Sequence, residues 1–532
     1  MKKNILPALL LTAVLLFGLF FNTWNINFGL PHSFYADEPE IAEPAIKYTY
    51  EIRDIIKNNN YYKLIPVSYV YGTFPTYFLT VFTMGFSKFM NLANLHFDKT
   101  SIYIFMRLLT TAITLGTGIF TFLLAGKLFK EKNNNLLIKL ISLFLILLNW
   151  KFIVHSHYVN ADIFLTFLLL GSIYFLYKAY TNNFDNLNTV LSAILFGLAY
   201  GTKFTALISL PCFIYIFLAK KDLKALFGFI FTSLISFLIT NPFSLIFFSD
   251  FSYRIFEMFF KEAGMVFDSV DTNPLKYIDA FIHIIGIILL PFFILGIYSA
   301  FKKDEENKNR HFHFFIIANI LFYLLFYSLQ SRRVERWLLP IIPLAVIYIS
   351  YGLSAIKNTL TNAAYILLLF LLTLSYLYYP SLLLFQFRRD TPKSEAYKWA
   401  KENIPTKNTL LPYILVYTEE GLDPMNKLNG TEVIQTNVYE SENSFLQYPI
   451  NPNLFEYVII SSRPMQNFKR EEVIKKYPQY VERWNNFENT LTDKNKFEMI
   501  KEFSLPKPNL IPLSDVYVFK NMNNGTDCGC SD

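Results

Sequence analysis

The chain has 532 residues, of which 53% are hydrophobic and 18% aromatic, with 56 Phe and 35 Tyr. Charged residues make up only 17%, against about 25% in an average soluble domain. This balance excludes a string of soluble domains, and a net charge of +7 needs no nucleic acid partner, because Lys and Arg in cytoplasmic loops account for it. Repeated apolar runs of about 18 residues or more mark bilayer spans, so the chain reads as a polytopic membrane protein with a polar C-terminal third.

Lys2 and Lys3 precede an apolar run, and no small-x-small cleavage site follows it, because Phe20-Phe21-Asn22-Thr23-Trp24 is bulky. Residues 5–21 are therefore read as an uncleaved anchor, with the lysines inside and the exit outside. At that exit lies His32-Ser33-Phe34-Tyr35-Ala36-Asp37-Glu38-Pro39-Glu40. Adjacent carboxylates there suit either a solvated loop or a catalytic base. Within residues 39–66, Ile41, Ala45, Tyr48 and Ile52 recur at spacings of three and four, as in an amphipathic helix on the membrane surface. Residues 74–94 are apolar but interrupted by Pro75, Gly85 and Lys88. Laying them on the outer surface leaves 22–100 as a first external loop. It also puts Lys127, Lys130 and Lys132, after the clear span 101–126, on the inside, as the positive-inside bias prefers.

The remaining runs then alternate. Residues 136–154 go out, 163–179 return, 188–202 go out, 204–219 return to Lys220, Lys221 and Lys224, and 225–246 go out. After an outer loop to about 277, residues 278–301 return to Lys302 and Lys303, 313–330 go out, 338–355 return to Lys357, and 361–384 go out. The sum is a mainly α bundle of about eleven spans. Lysine alone sets its orientation, yet Asp37, Glu38, Arg107, His155, His157, Asp162, Lys203, Arg332, Arg333 and Arg336 all fall at the outer face.

Residues 1–385 thus form a transmembrane domain, and 386–532 have the charge density and prolines of a small external α/β domain. Glu395 to Asn403 reads as a helix stopped by Pro405, and Asn408–Tyr417, Phe455–Ser461 and Asp515–Lys520 read as strands. Cys212 sits in an apolar run, while Cys528-Gly529-Cys530 belongs to a polar tail read as a disordered end. These cysteines form neither a disulfide framework nor a zinc pattern. His155 and His157 lack a clear third ligand, and no Gly-rich phosphate loop occurs, so the sequence calls for no cofactor and no metal.

Ionisable groups at span ends are expensive to hold near hydrocarbon and are functional candidates. Here carboxylates at Asp37, Glu38 and Asp162 share a face with Arg107, Lys203, Arg332, Arg333 and Arg336. Such a mixture suits group transfer from a phosphate carrier. Cations hold the phosphate and stabilise charge on the leaving oxygen, and one carboxylate suffices as base for an acceptor hydroxyl. Each residue also has a plainer reading. Arg107 and Lys203 suit snorkelling to headgroups, Asp162 suits a helix N-cap, and the Arg cluster suits pairing with Glu335.

Tyr35-Ala36-Asp37-Glu38 resembles the acidic motif in the first external loop of the C-type, polyprenyl-phosphate-dependent membrane glycosyltransferases, and within them the protein O-mannosyltransferase and lipid A aminoarabinose transferase group. Four further stretches follow in the matching order. They are Arg107 opening a span, Ser156-His157-Tyr158-Val159-Asn160-Ala161-Asp162, Gly197 to Ala206 with Gly201-Thr202-Lys203, and Arg336-Trp337-Leu338-Leu339-Pro340. Ala400-Lys401-Glu402-Asn403-Ile404-Pro405 matches in the trailing domain. The resemblance implies a polyprenyl-phosphate sugar donor and an external active site, with inversion at the anomeric carbon and Asp37 as base supported by Glu38. It also implies Arg107, His157, Asp162, Lys203, Arg332, Arg333 and Arg336 at the substrate. The acceptor, protein, lipid or glycan, is left open, and a plasma-membrane location is expected. At 72–76 the chain has Gly-Thr-Phe-Pro-Thr, where relatives often carry a basic His-Pro-Pro or Lys-Pro element beside the phosphate, and Lys203 or Arg332 and Arg333 stand in for it. The rival reading is a transporter or flippase of lipid-linked sugars. Internal repeats and midplane charges mark such proteins, and the sequence has no repeat.

Overall fold

The computed structural model describes residues 5–523 except 33, 34, 36, 67–70, 95–97, 130–134, 261–270, 304–308, 358, 408–410, 420–424, 426, 427 and 437–449. Lys130, Lys132 and the Cys528–Cys530 pair lie outside the described residues. The chain divides into one unit of residues 1–26, 37–258 and 272–384, and a second of 27–36, 259–271 and 385–532.

The first unit is helical. In order come α1 (Ile5–Thr23), α2 (Asp37–Lys57), α3 (Phe74–Leu92), α4 (Lys99–Leu128), α5 (Asn135–Leu147), α6 (Trp150–Ser156), α7 (Ala161–Thr181) and α8 (Asn186–Tyr200). They are followed by α9 (Leu210–Ala219), α10 (Leu223–Thr240), α11 (Phe243–Ile246), α12 (Phe248–Phe260), α13 (Lys276–Ile285), α14 (Leu290–Lys303), α15 (Arg310–Ser328), α16 (Ile342–Ile356), α17 (Asn362–Tyr376) and α18 (Tyr378–Arg388). A 3-10 turn, Phe204–Ser209, leads into α9, and another, Glu335–Ile341, leads into α16. Among the described residues, 7 helices are long and apolar enough to cross a membrane, or 9 if each of two bent pairs is one span. The sequence count of about eleven also includes 188–202 and 204–219. These correspond to the shorter apolar helices Asn186–Tyr200 and Phe204–Ala219, which fall below the roughly 20 residues that a bilayer core requires. α3 is not among the spanning candidates.

Both bent pairs break where the site is built. α5 and α6 meet at 53°, and α13 and the helix after it at 86°. The second break falls at Gly286, whose φ of +89° is open to glycine and strained for other residues. One buried side chain serves both breaks. Asn149 Oδ1 accepts from Lys151 N (3.0 Å), and Asn149 Nδ2 donates to Ile284 O (3.0 Å) and Tyr376 Oη (3.2 Å). Broken helices persist in a membrane protein only where the released backbone groups are satisfied in this way.

Polar residues on α4 meet the same requirement locally. The fully buried Thr110, Thr114, Thr117 and Thr121 donate to the carbonyls of Met106, Thr110, Ile113 and Thr117. Small residues let α14 and α16 touch backbone to backbone. A Cβ on Gly296 would lie 1.9 Å from Tyr348 O, and one on Gly352 would lie 2.0 Å from Phe292 O. Close approach through glycine is a general device of membrane helix pairs. Gly296→Ala is therefore expected to destabilise the bundle by about 1–3 kcal/mol through overpacking, seen as a lower unfolding midpoint in detergent, whereas Gly85→Ala, with open space at its Cβ, leaves the midpoint unchanged.

The second unit carries a 5-stranded sheet built from β1 (Ile414–Glu419), β2 (Thr431–Thr436), β3 (Tyr457–Ser461), β4 (Phe497–Phe503) and β5 (Val516–Asn521). The order is β2-β1-β3-β5-β4, with β1 parallel to β2 and β3, and β5 antiparallel to β3 and β4. Alternate residues face opposite layers. Ile414, Val416, Ile459 and Val518 pack with Ala396 and Ala400 of α19 (Pro392–Asn403). On the other face, Leu415, Tyr417, Val458 and Ile460 pack with Trp484, Phe487 and Leu491, which come from the last of three helices, α20 (Ser462–Asn467), α21 (Glu471–Lys476) and α22 (Pro478–Thr492). The sequence reading anticipates β1, β3 and β5 but not β2 and β4, the edge strands. β4 alternates poorly because most of its middle is solvated, including Glu498, Lys501 and Glu502, as charged edges commonly are.

Candidate active site

Asp37, Glu38 and Glu40 occupy the first turn of α2, where the helix dipole favours negative charge. Neighbours on a helix are rotated by about 100°, so Asp37 and Glu38 part company. Glu38 turns inward and is 0% exposed. Arg107 of α4 meets it in a two-pronged pair, Nε to Oε1 at 2.8 Å and Nη2 to Oε2 at 2.7 Å. Val159 N donates to Glu38 Oε1 (3.0 Å), Arg107 Nη1 donates to Ile26 O (2.9 Å), and the guanidinium lies 5.2 Å from the Tyr158 ring centre. Charges taken this far from water persist when paired and hydrogen-bonded on all sides. The pair fastens α2 to α4 and to the turn before α7.

Asp37 turns the other way, into a run of alternating charge. Its Oδ2 lies 2.5 Å from Arg336 Nη2, Arg336 Nε lies 3.3 Å from Asp162 Oδ2, and Asp162 Oδ1 lies 2.6 Å from Lys203 Nζ. Asp37 and Arg336 side chains are 22% and 23% exposed, and Asp162 and Lys203 4% and 6%, so the run leads from an accessible end to a buried one. Asp162 does not cap α7. Asn160 does, its Oδ1 accepting from Asp162 N at 2.7 Å, which leaves the Asp162 carboxylate to the cations. Lys203 Nζ stands 5.9 Å from the ring centres of both Tyr71 and Trp337, and Arg332 lies 5.5 Å from the Trp337 ring, distances at which cations are attracted to aromatic faces.

A second ionic group adjoins this run through the Glu335–Arg336 peptide. Glu335 receives Lys151 (2.8 Å), His283 (3.0 Å) and Arg333 (3.3 Å), and Arg333 also reaches Asp279 (2.7 Å). The helix breaks at Asn149 and Gly286 deliver Lys151 and His283 to it. Sequence reasoning passed over Lys151, His283, Asp279, Tyr71 and Trp337 as site residues. Lys151 carried a usable signal, a cation inside an apolar run.

His157 holds backbone. In the turn between α6 and α7, His157 Nδ1 lies 2.7 Å from Ile153 O and Nε2 2.8 Å from Trp24 O, tying the exit of α1 to α6. Burial pulls its pKa down to about 4. His155 is buried, with Nδ1 3.4 Å from Asn160 Nδ2. Among the described residues, no three His, Cys, Asp or Glu side chains come together to hold a metal ion.

Of the residues singled out in the sequence, Asp37, Asp162, Lys203 and Arg336 thus come together, with Arg332 alongside. Glu38 and Arg107 engage each other, Arg333 is held by Asp279 and Glu335, and His157 faces the backbone. A carboxylate at the accessible end of a run of cations is equipped to take a proton from one reactant while the cations hold an anion of another.

A sequence profile of the Alg9-like mannosyltransferase family matches residues 64–407. The chain belongs to this family. It is an integral membrane glycosyltransferase of mainly helical build. Solved structures share the fold. ArnT from Cupriavidus metallidurans bound to undecaprenyl phosphate aligns with a TM-score of 0.52 at 11% identity, covering 96% of this chain and 97% of that one. ArnT in the apo state gives 0.50 at 12%, over 96% and 97%. The apo oligosaccharyltransferase of Archaeoglobus fulgidus gives 0.51 at 12%, over 95% and 81%. No curated protein sequence matches. The transport reading gives way to the enzymatic one, because the profile covers the helices that carry Arg107, Asp162, Lys203 and Arg336.

Proposed function

We propose that this family member transfers a sugar from a polyprenyl-phosphate donor to an acceptor hydroxyl at the outer face of the membrane, with inversion at the anomeric carbon. Asp37 is the base. The observation that carries this reading is the run Asp37–Arg336–Asp162–Lys203, in which a partly exposed carboxylate adjoins cations whose inner member, Lys203, is buried 5.9 Å from the Tyr71 and Trp337 ring centres. The fold shared with an ArnT solved bound to undecaprenyl phosphate supports a donor of that class.

In the proposed reaction Lys203 and Arg336 hold the donor phosphate, with Arg332 beside Trp337 adding positive field. Arg336 bonds Asp37 in the absence of donor. The phosphodiester of the donor, a monoanion, competes for the same guanidinium and draws it from Asp37, whose carboxylate then faces the acceptor. The acceptor oxygen forms its bond to the anomeric carbon while the carbon–oxygen bond to phosphate breaks. The acceptor proton passes to Asp37, and the bonding electrons pass to the phosphate oxygen, where the cations stabilise them. The phosphate needs no acid to leave, unlike the alcohol expelled by a glycosidase. Glu38 and Arg107 position the first turn of α2.

The test is turnover by purified enzyme in lipid nanodiscs of polyprenyl-phosphate mannose, labelled in the sugar, with the anomeric configuration of the product read by NMR. Release of label with inverted configuration is expected. Arg336→Met is expected to lower kcat/KM about 100-fold by removing one charge-assisted phosphate contact and its stabilisation of the leaving oxygen. Retained configuration, or full activity of Arg336→Met, would overturn the reading.

A further inference from the structure

The segment Tyr71-Gly72-Thr73-Phe74-Pro75 lies directly on the loop that presents Lys203. Gly72 N donates to Thr202 O (3.0 Å) and Phe74 N to Gly201 O (3.2 Å). A third party binds the two together. Asn241, the C-cap of α10, is 6% exposed and inserts its amide between them. Its Oδ1 accepts from Thr73 N (2.8 Å) and Thr73 Oγ1 (3.1 Å), and its Nδ2 donates to Gly201 O (3.2 Å) and Phe237 O (3.3 Å). Thr73 Oγ1 also donates to Thr240 O.

The fit depends on glycine on both sides. A Cβ on Gly72 would lie 1.9 Å from Gly201 O and 3.1 Å from Asn241 Oδ1, and a Cβ on Gly201 would lie 2.6 Å from Asn241 Nδ2. Backbone oxygen cannot give way as a flexible side chain can. The Asn241 amide accepts from one segment and donates to the other and to its own helix, so neither an acid nor a hydrocarbon of that size replaces it. Lysine is a point charge on a flexible stem and delivers its ammonium to one place only if its backbone and neighbours are fixed. At Lys203 the fixing neighbours are Asp162 (2.6 Å) and the Tyr71 ring (5.9 Å), and Tyr71 is held over Lys203 by this seam.

We infer that Asn241 is a positioning residue for donor-phosphate binding, acting through the Gly72–Gly201 seam to fix Lys203 against Tyr71. The inference rests on the proposed role of Lys203 at the donor phosphate.

The probe is undecaprenyl phosphate, titrated into purified enzyme in detergent with binding read by intrinsic tryptophan fluorescence. Asn241→Ala and Gly72→Ala attack the seam from opposite sides, and neither changes the charge. Each is expected to weaken binding about 10-fold, the equivalent of about 1.4 kcal/mol. In a Lys203→Met background each is expected to change binding less than about 2-fold, because residues acting as one unit are not additive. Unfolding midpoints measured alongside identify any variant that has lost its fold, and the other variant then carries the test. Seam variants that bind like wild type, or whose losses simply add to that of Lys203→Met, overturn the inference. Lys203→Met binding with wild-type affinity overturns the phosphate reading beneath it.

Discussion

Asp37→Asn is expected to lower kcat about 1,000-fold, the scale of a positioned general base, while donor binding stays as tight as in wild type or becomes tighter. The direction of the second effect follows from the pairing. Asp37 pairs with Arg336, in the proposed mechanism it competes there with the donor phosphate, and the amide would remove that competitor without removing the guanidinium. A residue that merely shaped the pocket would change binding and turnover together, whereas a base changes turnover alone. The measurement is kcat with a saturating labelled lipid-phosphate sugar beside undecaprenyl phosphate affinity for the same preparations. An Asp37→Asn enzyme within a few-fold of wild-type kcat removes Asp37 from the mechanism.

Glu38→Gln is expected to act on the fold. Arg107 and Glu38 side chains are 1% and 0% exposed, and removing one member leaves the other charge buried. That typically costs about 3–5 kcal/mol, enough to consume much of a marginal stability. Glu38→Gln and Arg107→Met should each lower the unfolding midpoint strongly, and Glu38→Gln/Arg107→Met together should cost less than the sum of the two, because the double replacement leaves no orphan charge. A Glu38→Gln enzyme as stable as wild type yet inactive would assign Glu38 a chemical role in place of this one.

The adjacent carboxylates show where the sequence stops being legible. Asp37 and Glu38 are indistinguishable by composition or spacing. They separate only because α2 begins at Asp37 and its next residue is turned toward a guanidinium 69 positions further on. The apolar runs were legible because a span must be apolar for about 20 residues whatever it packs against. The same test also takes in Asn186–Tyr200 and Phe204–Ala219, apolar helices shorter than 18 residues. The breaks at Asn149 and Gly286 lie inside runs that hydropathy treats as continuous. Lys151 and His283 therefore looked like residues within or beside spans, although the bends bring both to Glu335. Gly72 and Gly201 meet only in the fold, and their partner Asn241 lies 168 residues from Thr73 and has no local sequence signature.

The most direct test of the central claim is a cryo-EM structure of the enzyme in nanodiscs with undecaprenyl phosphate. Phosphate density bonded to Lys203 Nζ and the Arg336 guanidinium is expected, with Arg336 withdrawn from Asp37 and the Asp37 carboxylate facing open solvent. Phosphate bound away from Lys203 and Arg336, with the Asp37–Arg336 pair intact, would contradict it.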